Sequence, residues 1–154
     1  MNTTLDSLLE NPEKTMTAII KRVATGPELS KSVSSEEARA GMLLLLDGLA
    51  DPLQSAVFLI GLRGKRETED ENKGVLQAIL DRTKIIEAEV DELVDIADPY
   101  NGYSRSLPSS PFLAALLAES GVPAVSHGIK TIAPKFEVTH SQILAAAGVS
   151  VNQL

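Results

Sequence analysis

Cysteine is absent from the 154-residue chain, which excludes disulfide scaffolds, zinc ribbons and thiol catalysis. Histidine is scarce, at two residues, too few for a multi-histidine metal centre. Long apolar runs are missing. Met42 to Leu46 is representative and falls far short of the roughly 18 residues that cross a bilayer, so no membrane partner is expected. Met1 to Lys14 lacks the basic and apolar blocks of a secretory signal, so a cytoplasmic protein is the expectation. Positive charge is in deficit as well. Fourteen Lys and Arg face 21 Asp and Glu, for a net charge of −7. That balance argues against a surface basic all over that holds nucleic acid by bulk charge, and leaves room only for a local basic patch.

What is present is globular: 44% hydrophobic and 23% charged residues, in a length that suits one domain or a small pair. Residues 1–93 carry 17 acids and 11 bases, and residues 94–154 carry 4 and 3. The texture changes at the same place, from helices with clear start and stop signals to short β-like runs alternating with helices.

Met16, Ile19, Ile20 and Val23 fall at i, i+3, i+4, i+7 and predict a helix over about Glu13 to Ala24, stopped by Gly26 and Pro27. Ser34 with Glu37 is a capping box opening a second helix to about Leu46. Asp51-Pro52 opens a third, as N-cap and first helical residue, and Val57, Phe58, Ile60 and Leu62 mark it as central. Thr68 with Glu71 starts a fourth, which the spacing of Val75, Leu76, Ile79, Leu80, Ile85 and Ile86 carries toward about Asp91. Arg63 and Lys65 read as surface or capping residues.

Leu93 to Ala97 then reads as a short buried strand, followed by a loop from Asp98 to Ser109 rich in Pro, Tyr, Asn, Gly and Ser. Ser110-Pro111 opens a helix to Gly121 with Leu113, Leu116 and Leu117 on its core face. Pro123 to Ser126 is a second strand, and Thr139 with Gln142 caps a helix to about Ala147. Val149 to Val151 is a candidate third strand. Strand–helix–strand order implies parallel pairing, and in such sheets ligands sit at the carboxyl ends of strands, here Asp98 to Ser110 and His127 to Thr139. Two or three strands leave sheet edges bare. The expected fold is therefore α plus α/β: a helical bundle over 1–92, then the beginning of a parallel-sheet α/β domain over 93–154, with the sheet incomplete.

Several segments, in this order, carry a resemblance. They are Leu29 to Leu46 with its Ser-Glu-Glu-Ala-Arg-Ala-Gly-Met string, Ala50 to Ala56, and Leu59 to Thr68 with Leu-Arg-Gly-Lys-Arg-Glu-Thr. Val94-Asp95-Ile96, Gly121-Val122-Pro123, Ser126-His127-Gly128 and Leu144 to Val149 follow. From about Glu13 onward the chain resembles the N-terminal half of the anthranilate phosphoribosyltransferase and pyrimidine nucleoside phosphorylase superfamily. The resemblance implies a helical domain that dimerises, a larger α/β domain, and an active site in the cleft between them. Full-length members are about twice this length. It also implies attack on the anomeric carbon of a phosphorylated ribose, with a glycine-rich diphosphate cradle and magnesium.

The family's Gly-Thr-Gly-Gly-Asp cradle corresponds to Asp98-Pro99-Tyr100-Asn101-Gly102. There an acid stands where a diphosphate would sit, Pro99 lacks a backbone donor, and Tyr100 adds bulk. The resemblance carries phosphate or substrate contacts to Asn101, Gly102, Ser109, Ser110, His127, Gly128, Lys130 and Lys135. Pro134 to Val138 stands where the family has Ser-Lys-Ser-Gly-Ser, and only Lys135 matches. The family's magnesium-holding acids correspond to positions beyond Leu154, so no metal or cofactor is assigned to this chain and no catalytic residue is named. The Tyr100-Asn101-Gly102 loop is similar to that of a divergent anthranilate phosphoribosyltransferase-like branch, some members of which bind single-stranded nucleic acid. In that reading Tyr100, Tyr103 and Arg105 join His127, Lys130 and Lys135 as nucleic-acid contacts. The partner expectations are a homodimer through the helical domain, single-stranded nucleic acid as the rival ligand, and phosphoribosyl diphosphate disfavoured by the altered cradle. Asp95 reads as structural and His140 as helix N-terminal decoration.

Overall fold

A computed structural model describes residues 4–26, 28–98, 100, 102–133 and 135–151. Two compact units divide it, Met1–Ile85 and Ile86–Leu154. The division falls at 85/86, seven residues before the boundary expected at 92/93.

The first unit is helical. Helix α1 is Leu5–Leu9, α2 Pro12–Val23, α3 Ser35–Leu46, α4 Pro52–Lys65 and α5 Glu69–Arg82. Local chemistry sets their starts. Asn11 accepts from Lys14 N at α2, and Asp51 accepts from Leu53 N and Gln54 N at α4, each with Pro at the first helical position. Ser34 and Thr68 close full capping boxes at α3 and α5. The core gathers Met16, Ile19 and Val23 of α2, Val33, Ala38 and Leu44 around α3, and Phe58 and Leu62 of α4. Helix α5 lies so close to α3 that a Cβ on Gly74 would stand 2.1 Å from the Ser35 carbonyl oxygen, so only glycine fits there.

A carboxylate ties this unit together. Glu71 is wholly buried. Its Oε1 accepts from Val33 N at 2.9 Å. Its Oε2 accepts from Lys65 Nζ at 2.6 Å, Thr68 N at 2.8 Å and Thr68 Oγ1 at 3.1 Å. Burial by itself would push this carboxyl up. The Lys65 ammonium, the Thr68 and Val33 amides and the Thr68 hydroxyl outweigh it and hold the group below the usual glutamate value. Lys65 is thus a buried partner, its side chain 6% exposed, and not the surface residue its sequence context predicts. Partly exposed pairs add to the frame: Arg82 with Asp47 at 2.6 Å, and Arg39 of α3 with Asp81 of α5 at 2.7 Å. The hydrogen bonds from Arg82 keep Asp47 below its usual value. The Gln77 amide and then Arg39 do the same for Asp81.

The second unit holds strand β1, Val94–Ala97, a 3₁₀ turn, Ser110–Phe112, helix α6, Leu113–Glu119, strand β2, Ala124–His127, and helix α7, His140–Ala146. The strands pair in parallel, Val94 against Ala124 through Ala97 against His127. Thr139 and Gln142 form the third capping box.

The structure departs from the sequence expectations at several points. Helix α1 was not foreseen, its five residues being too short for a period to show. Helix α5 stops at Arg82, where Thr83 turns extended while its hydroxyl donates to the Ile79 carbonyl, so Ile85 and Ile86 lie outside it and exposed. Ile60 of α4 faces outward at 67% exposure. β1 is not buried and Leu113 and Leu116 are exposed, because a two-stranded sheet offers little surface to cover them. No third strand forms at Val149 to Val151 among the described residues.

Lys65→Met strands the Glu71 charge in the core and is expected to cost about 3 kcal/mol of helical-unit stability at neutral pH. Urea unfolding followed by far-ultraviolet circular dichroism measures it. Groups whose carboxyls sit low when folded stabilise above their unfolded values and cease to as pH falls through the lowered ones. The wild-type midpoint should therefore hold down to the ordinary carboxylate range and drop below it, and the variant should lose less there. A neutral-pH midpoint equal to wild type refutes the assignment.

Candidate functional site

Both loops leaving the carboxyl ends of the parallel strands are fastened to one short stretch, Glu137 to His140. From the first loop, Tyr103 N donates to the Val138 carbonyl at 2.8 Å in an isolated antiparallel bridge. Gly102, at φ +103°, lies against Glu137 so closely that a Cβ would stand 2.5 Å from the Glu137 carbonyl carbon. From the second loop, the Lys130 carbonyl accepts from Thr139 Oγ1 at 3.0 Å.

Four side chains meet beneath the first loop. The Asp98 side chain, 4% exposed, accepts from His140 N at 3.2 Å through Oδ2 and from the Tyr103 hydroxyl at 3.4 Å through Oδ1. His140 Nε2 lies 2.8 Å from Ser110 Oγ, 3.2 Å from the Tyr103 hydroxyl and 3.8 Å from Asp98 Oδ1. The Tyr103 and His140 rings stack at 5.5 Å and 5°, and Tyr100 meets Tyr103 edge-on at 5.5 Å. His140 Nδ1 is buried without a partner. The polar contacts of the ring therefore all run through Nε2. Serine and carboxylate meet the same ring nitrogen, so the imidazole does not bridge them as the base of a nucleophilic triad does. Burial, and then the charge of Asp98, raise the Tyr103 phenol above its usual value.

The sequence-derived candidates separate accordingly. Gly102, Tyr103 and Ser110 belong to the inward network. Gly128 is held in place from inside, since a Cβ there would stand 3.1 Å from Asp98 Cβ. His127, the last residue of β2, faces Asp95 across the sheet with Nε2 2.9 Å from Oδ1, both side chains more than half exposed. Asp95 thus meets His127 on the diagonal, its own register partner being Val125. Ser109 ends at the surface, its carbonyl accepting from Phe112 N. Tyr100, Arg105, Lys130 and Lys135 are exposed. Asn101 lies outside the described residues, as does Pro99. His140 is more than helix decoration: it is the hub of the network. The Thr139–Gln142 box was the signal that could have found it, since it fixes His140 as the first residue of a helix facing the strand-end loops.

The Asp98 carboxylate is already bound to the His140 amide and the Tyr103 hydroxyl. Among the described residues no group of three His, Asp or Glu could hold a metal ion, and no helix is long and apolar enough to cross a membrane.

Residues 17–83, the bulk of the first unit, match the model of the glycosyl transferase family, helical bundle domain. Over those residues the first unit is similar to this family's helical bundle domain. Among curated proteins it is similar to the anthranilate phosphoribosyltransferase of Rhodopseudomonas palustris (strain BisA53), 31% identical over 88% of this chain and 38% of the relative. It is likewise similar to those of Rhizobium johnstonii, 32% identical over 82% of the chain and 38% of the relative, and Methylorubrum extorquens (strain PA1), 34% identical over 84% and 36%. The chain therefore spans less than two-fifths of the length of these glycosyl transferase relatives, and the similarity runs beyond the bundle into the second unit.

In a Tyr100→Phe background Tyr103 is the sole tyrosine, and its alkaline ultraviolet titration should lie above the usual tyrosine range. Asp98→Asn should move it downward. A titration unmoved by that change removes the Asp98–Tyr103 contact.

Proposed function

We propose that the chain is the N-terminal portion of an anthranilate phosphoribosyltransferase-like protein in which the loop after β1 has ceased to be a diphosphate cradle, and that it does not transfer phosphoribose by itself. The observation that carries this reading is the inward carboxylate of Asp98, buried and bonded to the donors an anion would otherwise use. A phosphate oxygen about 4 Å from that carboxylate meets a repulsion of roughly 1–4 kcal/mol, and Pro99 offers no amide to offset it. Magnesium in this reading is a requirement of full-length active relatives. The experiment is direct: incubate the chain with phosphoribosyl diphosphate, magnesium and anthranilate and follow anthranilate fluorescence. No decay is expected, and sustained turnover overturns the proposal.

The helical unit is proposed to pair with a second copy of itself. Leu53 and Ile60, seven residues apart on α4, present an apolar stripe at 72% and 67% exposure. Sedimentation velocity should give a dimer that Ile60→Glu converts to monomer. A wild-type monomer at all concentrations ends the idea.

A second reading is favoured by exposed groups of the two loops. Tyr100 is 60% exposed, and Arg105, Lys130 and Lys135 are exposed cations. An aromatic face with separated cations is the surface that single-stranded nucleic acid uses, bases stacking and phosphates meeting charge. The overall charge of −7 restricts such binding to this local patch.

A further inference from the structure

Phe136 breaks two rules at once. It is the most exposed of the five aromatic residues, at 70%, and it has φ +53°, a left-handed backbone that a branched, bulky side chain adopts only under strain. The cause of the strain is visible: Phe136 N donates to the Ile132 carbonyl at 3.0 Å, closing a one-turn loop whose last residue is normally glycine or asparagine. Burial of the ring would offset the strain, but the ring is left in water. Backbone outliers of this kind cluster at ligand-contacting positions. Its surroundings point to the ligand. Lys135 precedes it and Lys130 stands on the same loop, both exposed, while the following Glu137 and Val138 lie against Gly102 and Tyr103 of the neighbouring loop. The ring is therefore presented on a stretch anchored from the next residue onward.

We propose that Phe136 is a stacking platform for a nucleotide unit, its ring taking the base and Lys135 and Lys130 meeting the phosphate. This rests on the nucleic-acid reading above and names a contact residue that reading did not contain. The same chemistry is offered by a free nucleotide and by one unit of a single strand, and the test separates them.

Fluorescence anisotropy of a labelled thymidylate oligomer, at low salt with the full chain, provides that test. Wild type should bind. Phe136→Gly, which relieves the strained backbone and leaves the unit at least as stable to urea, should weaken binding roughly tenfold, and Phe136→Trp should restore it. Thymidine monophosphate displacing the oligomer at similar concentration identifies the free nucleotide as the ligand. Displacement only by unlabelled oligomer identifies the strand. Equal binding by wild type and Phe136→Gly refutes the platform and leaves the nucleic-acid reading standing. Failure of wild type to bind either probe refutes both.

Discussion

The helical unit depends on one buried carboxylate. Glu71 completes the cap of its own helix through Thr68 and reaches back to the Val33 amide, 38 residues earlier in the chain. It also neutralises Lys65 at the end of α4. Three pieces of backbone therefore converge on two oxygens. Each bond offsets part of the cost of removing a charge from water, and no single one suffices. The α4–α5 connection, which passes through Arg66 at a positive φ, is held by the same cluster: Lys65 Nζ also donates to the Arg66 carbonyl at 3.3 Å.

A similar economy appears in the second unit. There a carboxylate, a phenol, an imidazole and a hydroxyl satisfy one another beneath a loop, and the anion is supplied by the chain itself. Polar groups beneath this loop are already engaged with one another. The remaining reactive-looking groups, His127 with Asp95 and the exposed cations, lie outside that knot.

What could be read from the sequence was what is decided locally. The boxes Ser34–Glu37, Thr68–Glu71 and Thr139–Gln142 each need only four residues to agree, and all three form. The parallel pairing of β1 with β2 follows from the order of elements. What escaped was decided by distant partners or by their lack. The burial of Lys65 needs Glu71, and Glu71 in turn needs Val33. The pattern through Ile85 and Ile86 continues a helical period past the point where the backbone turns extended. His140 became a hub only once two loops had closed over it, and Phe136 showed itself only through a backbone angle that its residue type does not announce.

Because the two strand-end loops share a single mooring at Glu137 to His140, they do not adjust independently. Slack introduced at either line is transmitted through the mooring to the other.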